Sequence, residues 1–435
     1  MTSGEDRVSN QASGRDLRPE LTRRGVISGA ALLGIGAGLD HVLAKSSSKV
    51  ATSHSMSRSA GEVVPFYGSH QAGIATPAQE YLHIAAFDIT TDALNDLREM
   101  LQQWTTVATS LTAGRPYQGD VQVLSQPPVE TGEAIGLGPS QLTLTFGFGP
   151  SLFGSGTSGR FGLARHRPAE LEPLPPFQGD SLEASRSGGD LCVQACADDP
   201  QVAFHAIHVL SRIADGTAAL RWAQPGFGRT SSTSRSQTTP RNLIGFKDGT
   251  DNIRAEDTAA MSDFVWVQNA DGPDWMTGGT YLITRRIRIL FDVWDTTSLE
   301  GQQRTIGRAK LTGAPLGERE EYDPVDLNAT SNGELAIPAN AHIRLANPQN
   351  NKGQRILRRG YSYSEGVEPE TGEIDAGLFF IAFQRSPERQ FIPLQRRLAA
   401  SDALNRHTLH TSSAIFACPP GVKPGGVIGE GLLSS

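Results

Sequence analysis

The chain has 435 residues, enough for two domains of ordinary size, and a formal net charge of -7. Hydrophobic residues make up 38% and charged residues 20% of it, a composition typical of globular proteins. Because the charge is negative and no basic patch stands out, we expect no nucleic-acid partner. The cysteines, Cys192, Cys196 and Cys418, are too few for a disulfide framework, and we expect core thiols.

The first 60 residues have the features of a targeting segment. Arg23 and Arg24 precede an apolar run over residues 26–39, and residues 42–44 resemble a small-residue cleavage site. The run is too short and too rich in Gly and Ala for a stable membrane span. We therefore expect a twin-arginine signal peptide and linker over residues 1–60. The translocase of that route is then a transient partner, and the mature protein is periplasmic, extracellular or in the cell envelope.

The hydrophobic pattern of the N-terminal half, residues 61–235, predicts the order βαββαβ. An apolar stripe that includes Trp104 marks the first helix, and Asp199-Pro200 has the cap-then-proline pattern that begins the second. His205 lies near the buried stripe of this helix, and we expect it to be a satisfied core histidine. The predicted elements are strand 81–89, a helix from residue 94, strands 141–148 and 190–195, a helix from residue 200 and strand 220–227.

The C-terminal half, residues 236–435, repeats this order in outline. Two βαββαβ units predict an α+β fold of two ferredoxin-like halves, with antiparallel sheets and helices outside. The repeat rests on element order, since the halves share no detectable residue identity. The predicted elements are strand 279–293, helix 298–307, strands 361–364 and 378–384, helix 388–398 and strand 411–417.

A histidine followed by paired arginines suggests a cofactor site in this half. Neutral imidazole is a common axial ligand for haem iron, which makes His342 a candidate. Arginine is permanently charged and suits a haem propionate or a cleaving peroxide, so Arg358 and Arg359 are candidates too. One histidine does not define a metal site, and a core histidine with two surface arginines is the alternative.

The segment Gly245-Phe246-Lys247-Asp248-Gly249-Thr250 can be interpreted as a simple turn. Taken with His342 and Arg358, however, it resembles the GxxDG signature of the dye-decolorizing peroxidases. The similarity is greatest to the branch exported by the twin-arginine route, which includes the deferrochelatase/peroxidase proteins. It extends over nearly all of the chain after about residue 60, and the similar stretches are 66–79, 142–150, 174–204, 226–230, 294–316 and 375–384.

The resemblance implies one haem b per chain, bound in the C-terminal half of a dimeric α+β barrel type of fold. It implies that His342 is the axial ligand of the iron. Asp248 would be the distal base and Arg358 the distal cation, whereas strand alternation would point Arg359 to the other face. The remaining cofactor-binding residues that it implies are Gly249, Thr250, Asp251, Asn347, Pro348 and Gln349.

Two features around this site are less determined. The family often has arginine at the position of Gln349, and we expect Arg344 or Arg308 to supply the missing charge. A ligating imidazole needs a hydrogen-bond partner on its other nitrogen, for which Asp375 is our candidate. The alternative is that Asp375 is a turn residue at a strand edge. Two apolar residues near it are expected to line the haem pocket, Leu378 and Phe380.

The function that follows is an exported haem peroxidase, which uses hydrogen peroxide to oxidise phenolic or dye-like donors. The alternative is a deferrochelatase that takes iron from haem and works with ferrous-iron permease components. A haem carrier is disfavoured, because it needs neither Asp248 nor Arg358. A carboxylate base stays ionised at lower pH than histidine, so we expect activity on the acid side. The sequence leaves the physiological donor and a homo-oligomeric state open.

Overall fold

The structure is a computed structural model that describes residues 61–117, 124–154, 159–331 and 333–434. The predicted targeting segment, residues 1–60, lies outside the described residues. The strands are β1 Tyr81–Ile89, β2 Thr143–Phe148, β3 Leu191–Ala197, β4 Ala218–Arg229, β5 Thr280–Ile289, β6 Thr330–Ser331, β7 Glu334–Leu335, β8 Leu357–Arg358, β9 Tyr361–Val367, β10 Ile374–Gln384 and β11 Thr408–Cys418.

The helices follow the same order along the chain. Shorter 3-10 helices lie mainly in the long connection between β2 and β3. Among the described residues, no helix is long and apolar enough to cross a bilayer. The α-helices are α1 Leu94–Thr112, α2 Pro200–Ala214, α3 Thr258–Phe264, α4 Phe291–Asp295, α5 Leu299–Ile306, α6 His342–Ala346, α7 Phe391–Ser401 and α8 Glu430–Leu433.

Eight strands of the described chain form one closed antiparallel barrel. The N-terminal half contributes the order β2-β3-β1-β4, and the C-terminal half contributes β9-β10-β5-β11. Both orders are those of a ferredoxin-like βαββαβ unit, which confirms the predicted α+β fold. The halves meet at two seams, where β4 pairs with β9 and β11 pairs with β2. The domain boundary near residue 235 stays a prediction, because the barrel is continuous across both halves.

Strand alternation divides the side chains between the barrel interior and the outer layer. In β1, Ile84 and Ala86 pack inside the barrel with the cysteines, whereas Ala85 and Phe87 pack under the outer helices. The cysteines Cys192, Cys196 and Cys418 are buried and free, as predicted. The same alternation assigns each residue of the C-terminal strands either to the interior or to the layer that contains the candidate site.

Two long helices cover the outer face of the N-terminal half. Asp199 caps α2 by accepting hydrogen bonds from the backbone N–H groups of Gln201 and Val202, and Pro200 occupies the first helical position, as predicted. Trp104 of α1 is fully buried, and its Nε1 donates to the Leu210 carbonyl of α2 at 2.9 Å. The two helices therefore form a closed apolar layer on this sheet.

The C-terminal half is covered differently. The strand predicted over residues 279–293 ends at Ile289, and the chain turns into the five-residue helix α4. The connection from there to β9 contains the short helices α4, α5 and α6 and the two-residue strands β6 and β7. Short elements joined by turns cover the sheet incompletely, and a cavity remains between them and the strands.

Candidate active site

The cavity lies on the outer face of the C-terminal strands and has a volume of about 280 Å³. Strand alternation explains its wall, since residues two apart in β5 and β10 face the same way. The apolar part of the wall comes from the strands and from α7, namely Ile287, Ile289, Leu378, Phe380, Leu394 and Leu398. Leu378 and Phe380 thus line the cavity as predicted.

His342 is the first residue of α6 and lines one side of this cavity. Its Nδ1 donates a hydrogen bond to Asp402 Oδ2 at 2.6 Å. Asp402 is buried, and its other oxygen accepts from the backbone N–H of Leu404 at 2.9 Å, which fixes the carboxylate. Because Nδ1 is occupied in this way, Nε2 is the ring nitrogen available to a ligand.

The charge environment of His342 favours a strongly basic imidazole. Burial alone would lower the pKa of His342, but the Asp402 carboxylate outweighs it through its charge and its hydrogen bond. Asp248 also raises this pKa and Arg358 lowers it, and the net result is a pKa above the usual value. A hydrogen-bonded carboxylate that fixes the tautomer and increases basicity is the usual partner of a ligating histidine.

The prediction that Asp375 holds His342 is wrong. Asp375 Oδ2 accepts from Arg286 Nη2 at 2.7 Å, on the barrel-interior face of the sheet. Arg286 also lies over the ring of Tyr363 at 4.1 Å from its centroid, within the same buried group. The reason is strand alternation: in β10, Asp375 points away from the face that carries Leu378 and Phe380.

Asp248 and Arg358 meet on another side of the cavity. Arg358 Nη1 donates to Asp248 Oδ1 at 2.7 Å, and Asn242 Nδ2 donates to Asp248 Oδ2 at 3.1 Å. The turn that presents Asp248 requires glycine at Gly249, which has a φ of +88° and lies against the backbone of Ser231. The segment Gly245–Thr250 is therefore a turn, and it also brings a carboxylate into the cavity.

Asn252 joins this turn to the strand that carries Arg358. Its Oδ1 accepts from the Arg358 backbone N–H and its Nδ2 donates to the Arg358 carbonyl, both at 2.8 Å. The Asn252 backbone N–H also donates to the Gly249 carbonyl at 3.1 Å. Asn252 is buried, so this double contact fixes the spacing between the two halves of the ion pair. Sequence reasoning missed it, because an asparagine after a turn has no distinctive pattern.

Arg359 points the opposite way, as strand alternation predicts. It is fully buried inside the barrel, where it donates to the Thr76 carbonyl and to Gln79 Oε1. Arg359 does not line the cavity, whereas Arg358 does. The two arginines therefore have separate environments, one facing the cavity and one fixing the N-terminal segment to the barrel.

The remaining predicted residues are only partly brought together. Gly249, Thr250, Asp251, Asn347 and Pro348 all line the cavity. Gln349 does not, since it is exposed and its backbone N–H donates to Asn347 Oδ1 at 2.9 Å. The predicted contact between Gln349 and a cofactor is thus not supported by its position.

Arg308 and Arg355 are among the other cations that line the cavity. Arg308 is buried, and its Nη1 donates to the Gly313 and Glu321 carbonyls at 2.7 and 3.1 Å. Arg355 lies 3.7 Å from Asp251. Arg344 is not at the cavity, because it donates to backbone carbonyls of the segment 327–338. Of the two predicted substitutes for the missing arginine, only Arg308 is therefore in place.

The residues present fit a haem group. A basic imidazole with a fixed tautomer, an apolar wall and a carboxylate–arginine pair are the donor set and lining that such a cofactor requires. Arg308 and Arg355 supply positive charge for the carboxylates of a porphyrin. These groups reach one cavity from residues more than 100 positions apart in the chain.

Two family models match the chain. Residues 71–228 match the N-terminal part and residues 239–423 the C-terminal part of the Dyp-type peroxidases. The chain therefore belongs to the Dyp-type peroxidase family, and it is a haem-dependent peroxidase with haem b as its cofactor.

Individual relatives extend this assignment. A dye-decolorizing peroxidase of Thermobifida fusca is 40% identical over 375 residues, or 83% of each chain. A deferrochelatase of Escherichia coli K12 is 37% identical over 369 residues, which cover 83% of this chain and 85% of the relative. The solved structure of a DyP-type peroxidase from Streptomyces coelicolor is 40% identical, with a TM-score of 0.79 over 86% of this chain and 98% of its own.

Proposed function

We propose that the protein is an exported peroxidase that reduces hydrogen peroxide at haem and oxidises small aromatic donors, with His342 as the axial ligand. The observation that supports this proposal most directly is the pair Asp248–Arg358, joined at 2.7 Å beside the cavity that His342 also lines. A protein that only carries haem needs no carboxylate–guanidinium pair at this position. Bound haem supplies the redox-active iron, and the chain supplies proton transfer and charge.

His342 and Asp402 would hold the cofactor on one side of the cavity. His342 Nδ1 donates a hydrogen bond to Asp402 Oδ2 at 2.6 Å, so Nε2 would present its lone pair to the metal. The backbone N–H of Leu404 keeps Asp402 in position, so rotation of the imidazole would break its hydrogen bond to a fixed carboxylate. This arrangement would give the iron a basic imidazole ligand in a fixed orientation.

Asp248 and Arg358 would act on peroxide rather than hold the cofactor. Peroxide cleavage requires a base that moves a proton from the inner to the outer oxygen, and a cation that stabilises the charge on the separating oxygen. Asp248 Oδ1 or Oδ2 can accept that proton, and the Arg358 guanidinium stays positive throughout. Asn242 holds the carboxylate, and Asn252 holds the backbone of Arg358, so both groups are oriented before peroxide arrives.

Stopped-flow mixing of the haem-loaded protein with peroxide tests this assignment. Asp248→Asn should retain haem and lose most of the rate at which the haem absorption spectrum changes, across pH 3 to 8. Asp251→Asn is the matched control, since Asp251 lines the same cavity but is two-thirds exposed and lies 3.7 Å from Arg355 rather than beside Arg358. Equal rates for wild type and Asp248→Asn would remove Asp248 from the mechanism.

Release of iron from haem is the second candidate function, because the 37% identical relative in Escherichia coli K12 is named a deferrochelatase. Peroxidase activity and iron release would use the same cavity, so the fold does not separate them. Dye oxidation with peroxide and the appearance of free porphyrin should be measured side by side. Porphyrin release without peroxide-dependent oxidation would favour the second candidate, and ferrous-iron permease components would then be the partners.

Export by the twin-arginine route is the proposal for location. It is supported by the Arg23-Arg24 pair, the apolar run after it and the small-residue site at 42–44. Changing both arginines to lysine should leave the precursor in the cytoplasm. The appearance of normal mature protein outside the inner membrane would contradict the proposal.

A further inference from the structure

A second group of possible ligands lies on helix α2, away from the haem cavity. The connection between α1 and β2 runs along this helix and is held by it. Gln201 Nε2 donates to the Glu133 carbonyl at 2.5 Å, and Arg212 Nη2 donates to the Pro128 carbonyl at 2.8 Å. Four polar residues of α2 are spaced at i, i+4, i+7 and i+11, and they therefore lie on one face of the helix. These residues are Gln201, His205, His208 and Arg212.

Two histidines of this face meet two glutamates of the connection. His205 Nδ1 lies 2.8 Å from Glu133 Oε2, and His205 Nε2 lies 3.3 Å from Glu130 Oε1. His208 Nδ1 lies 2.5 Å from Glu133 Oε1. One donor atom from each of Glu130, Glu133 and His205 lies within 4.8 Å of the other two. We call these four residues the His–Glu cluster.

The cluster is partly shielded from water. The His205 side chain is 5% exposed, and those of Glu130 and Glu133 are 12% and 23% exposed. Burial raises the pKa of Glu133, but hydrogen bonds from Thr131, His205 and His208 outweigh it and lower that pKa to about 2. The two carboxylates of Glu130 and Glu133 thus face the buried His205 ring, a mixed oxygen and nitrogen environment that suits a divalent transition-metal ion.

Both imidazoles approach the Glu133 carboxylate through Nδ1, and His205 also reaches Glu130 through Nε2. Sequence reasoning expected a satisfied core histidine at His205, because the glutamates lie about 70 positions earlier in the chain. The fold alone brings them together.

We propose that the His–Glu cluster binds one divalent transition-metal ion, with zinc as the best match. One imidazole nitrogen of His205 and one carboxylate oxygen each of Glu130 and Glu133 form a three-ligand set, which Zn²⁺ accepts at bond lengths of about 2.0–2.2 Å with water as the fourth ligand. Calcium and magnesium are excluded by the imidazoles, since these hard cations prefer an all-oxygen set. None of the four residues lines the haem cavity, so the ion would fix the α1–β2 connection to α2 rather than take part in peroxide chemistry.

A competing arrangement uses protons instead of a metal. If His205 carried two protons, it could donate to Glu133 and Glu130 at once and hold the connection without an ion. The two arrangements differ in their response to conditions. A metal site responds to a chelator and to added zinc at constant pH, whereas an imidazolium contact responds only to pH.

The experiment uses the full haem-loaded protein after dialysis against EDTA, which does not remove iron from haem. Zinc is added, unbound metal is removed by desalting, and zinc and iron are counted separately by mass spectrometry. Calorimetry gives the affinity. We expect one zinc per haem iron, no competition by calcium, and a higher unfolding temperature with zinc than without it.

Variants locate the site. Losing an outer partner of a metal ligand typically costs about 10–100-fold in affinity, so Glu133→Gln and His205→Gln, which remove direct ligands, should cost more than about 100-fold. Glu99→Gln, at an exposed position of α1, is the matched control and should bind zinc as wild type does. All three variants should keep their haem spectrum and peroxidase rate. Zinc that binds wild type and both cluster variants alike, or stability that depends on pH but not on zinc, would overturn the proposal.

Discussion

The two halves of the barrel have the same strand order but use the outer face of their sheets differently. In the N-terminal half, α1 has 19 residues and α2 has 15, and both pack on the sheet with Trp104 buried between them. In the C-terminal half, the corresponding connection after β5 is long but contains α4 and α6, which have five residues each. One face is closed by an apolar layer, and the other retains a cavity.

This difference indicates that the connections supply most of the polar groups of the candidate site, whereas the strands supply its apolar wall. The ferredoxin-like unit supplies alternating strands, and only the segments that cover them decide whether a face is filled or left open. His342, Asp248 and Asp402 all lie in turns or at the ends of short helices. Haem chemistry should therefore depend on the C-terminal half, and substitutions there should have the largest effects on it.

The largest effect should follow from His342→Ala, which removes the proposed axial ligand. We expect loss of stable haem binding or of the histidine-ligated absorption spectrum, measured after reconstitution with haem. His410→Gln is the control, because His410 is a second histidine that lines the same cavity. Burial beside Arg285 lowers the pKa of His410 to about 3, so its imidazole is neutral at the pH of the measurement and could also bind a metal. A histidine-ligated spectrum in His342→Ala that disappears in His410→Gln would transfer the axial role to His410.

Arg358→Leu should slow the reaction with peroxide by orders of magnitude while haem stays bound. A donor that stabilises developing charge in a dry site is worth about 2.7–4 kcal/mol. Arg359→Leu should change this rate little and lower the unfolding temperature instead, because Arg359 holds Thr76 and Gln79 inside the barrel. Stopped-flow rates and thermal unfolding of both variants check the contrast, and the reverse pattern would show that Arg359 is the distal cation.

Asp402→Asn should have an intermediate effect. It keeps the shape of the side chain but weakens the hydrogen bond to His342 Nδ1, so haem affinity should fall about 10–100-fold. Asp375→Asn is the matched control in the same half, since Asp375 contacts Arg286 and not His342. Haem titration of both variants measures the difference in affinity. An equal loss of haem affinity in the two variants would show that Asp402 is not the specific partner of His342.

The smallest effect on haem chemistry should come from the N-terminal half, at His83 of β1. Burial lowers the pKa of His83 from 6.5 to about 4, so the unfolded chain binds more protons here between these two values. Stability should therefore fall as pH decreases from 6.5 to 4. His83→Gln should make the unfolding midpoint less dependent on pH in this interval and leave the haem spectrum unchanged. A changed spectrum would show that the halves are coupled through the sheet.

The strands and the motif residues were predictable because each has a local signal. Alternation and apolar stripes located β1, α1 and α2, and Asp199-Pro200 marked the start of α2. The turn that carries Asp248 was visible from its glycines. Alternation also separates Arg358 from Arg359, and the structure shows that separation.

The partners of these residues were not predictable in the same way. Asp402 follows α7 and looks like an ordinary cap for the next turn, so no local pattern connects it to His342, 60 positions earlier. Asp375 was the wrong candidate although alternation argued against it, since Leu378 and Phe380 occupy the opposite face of β10. Gln349 was placed by motif position, whereas the turn after Asn347 directs it to solvent. Contacts between distant turns depend on packing, which the sequence does not display.

Closure of the barrel limits how copies of this protein can associate. Each of the eight barrel strands has a neighbour on both sides, because β10 pairs with β5 and the seams join β4 to β9 and β11 to β2. A free strand edge is the usual template for edge-to-edge association and aggregation. The eight barrel strands therefore offer no free edge for extension of the barrel sheet by a second copy, and the described strands that keep an unpaired edge are the short β8, β6 and β7.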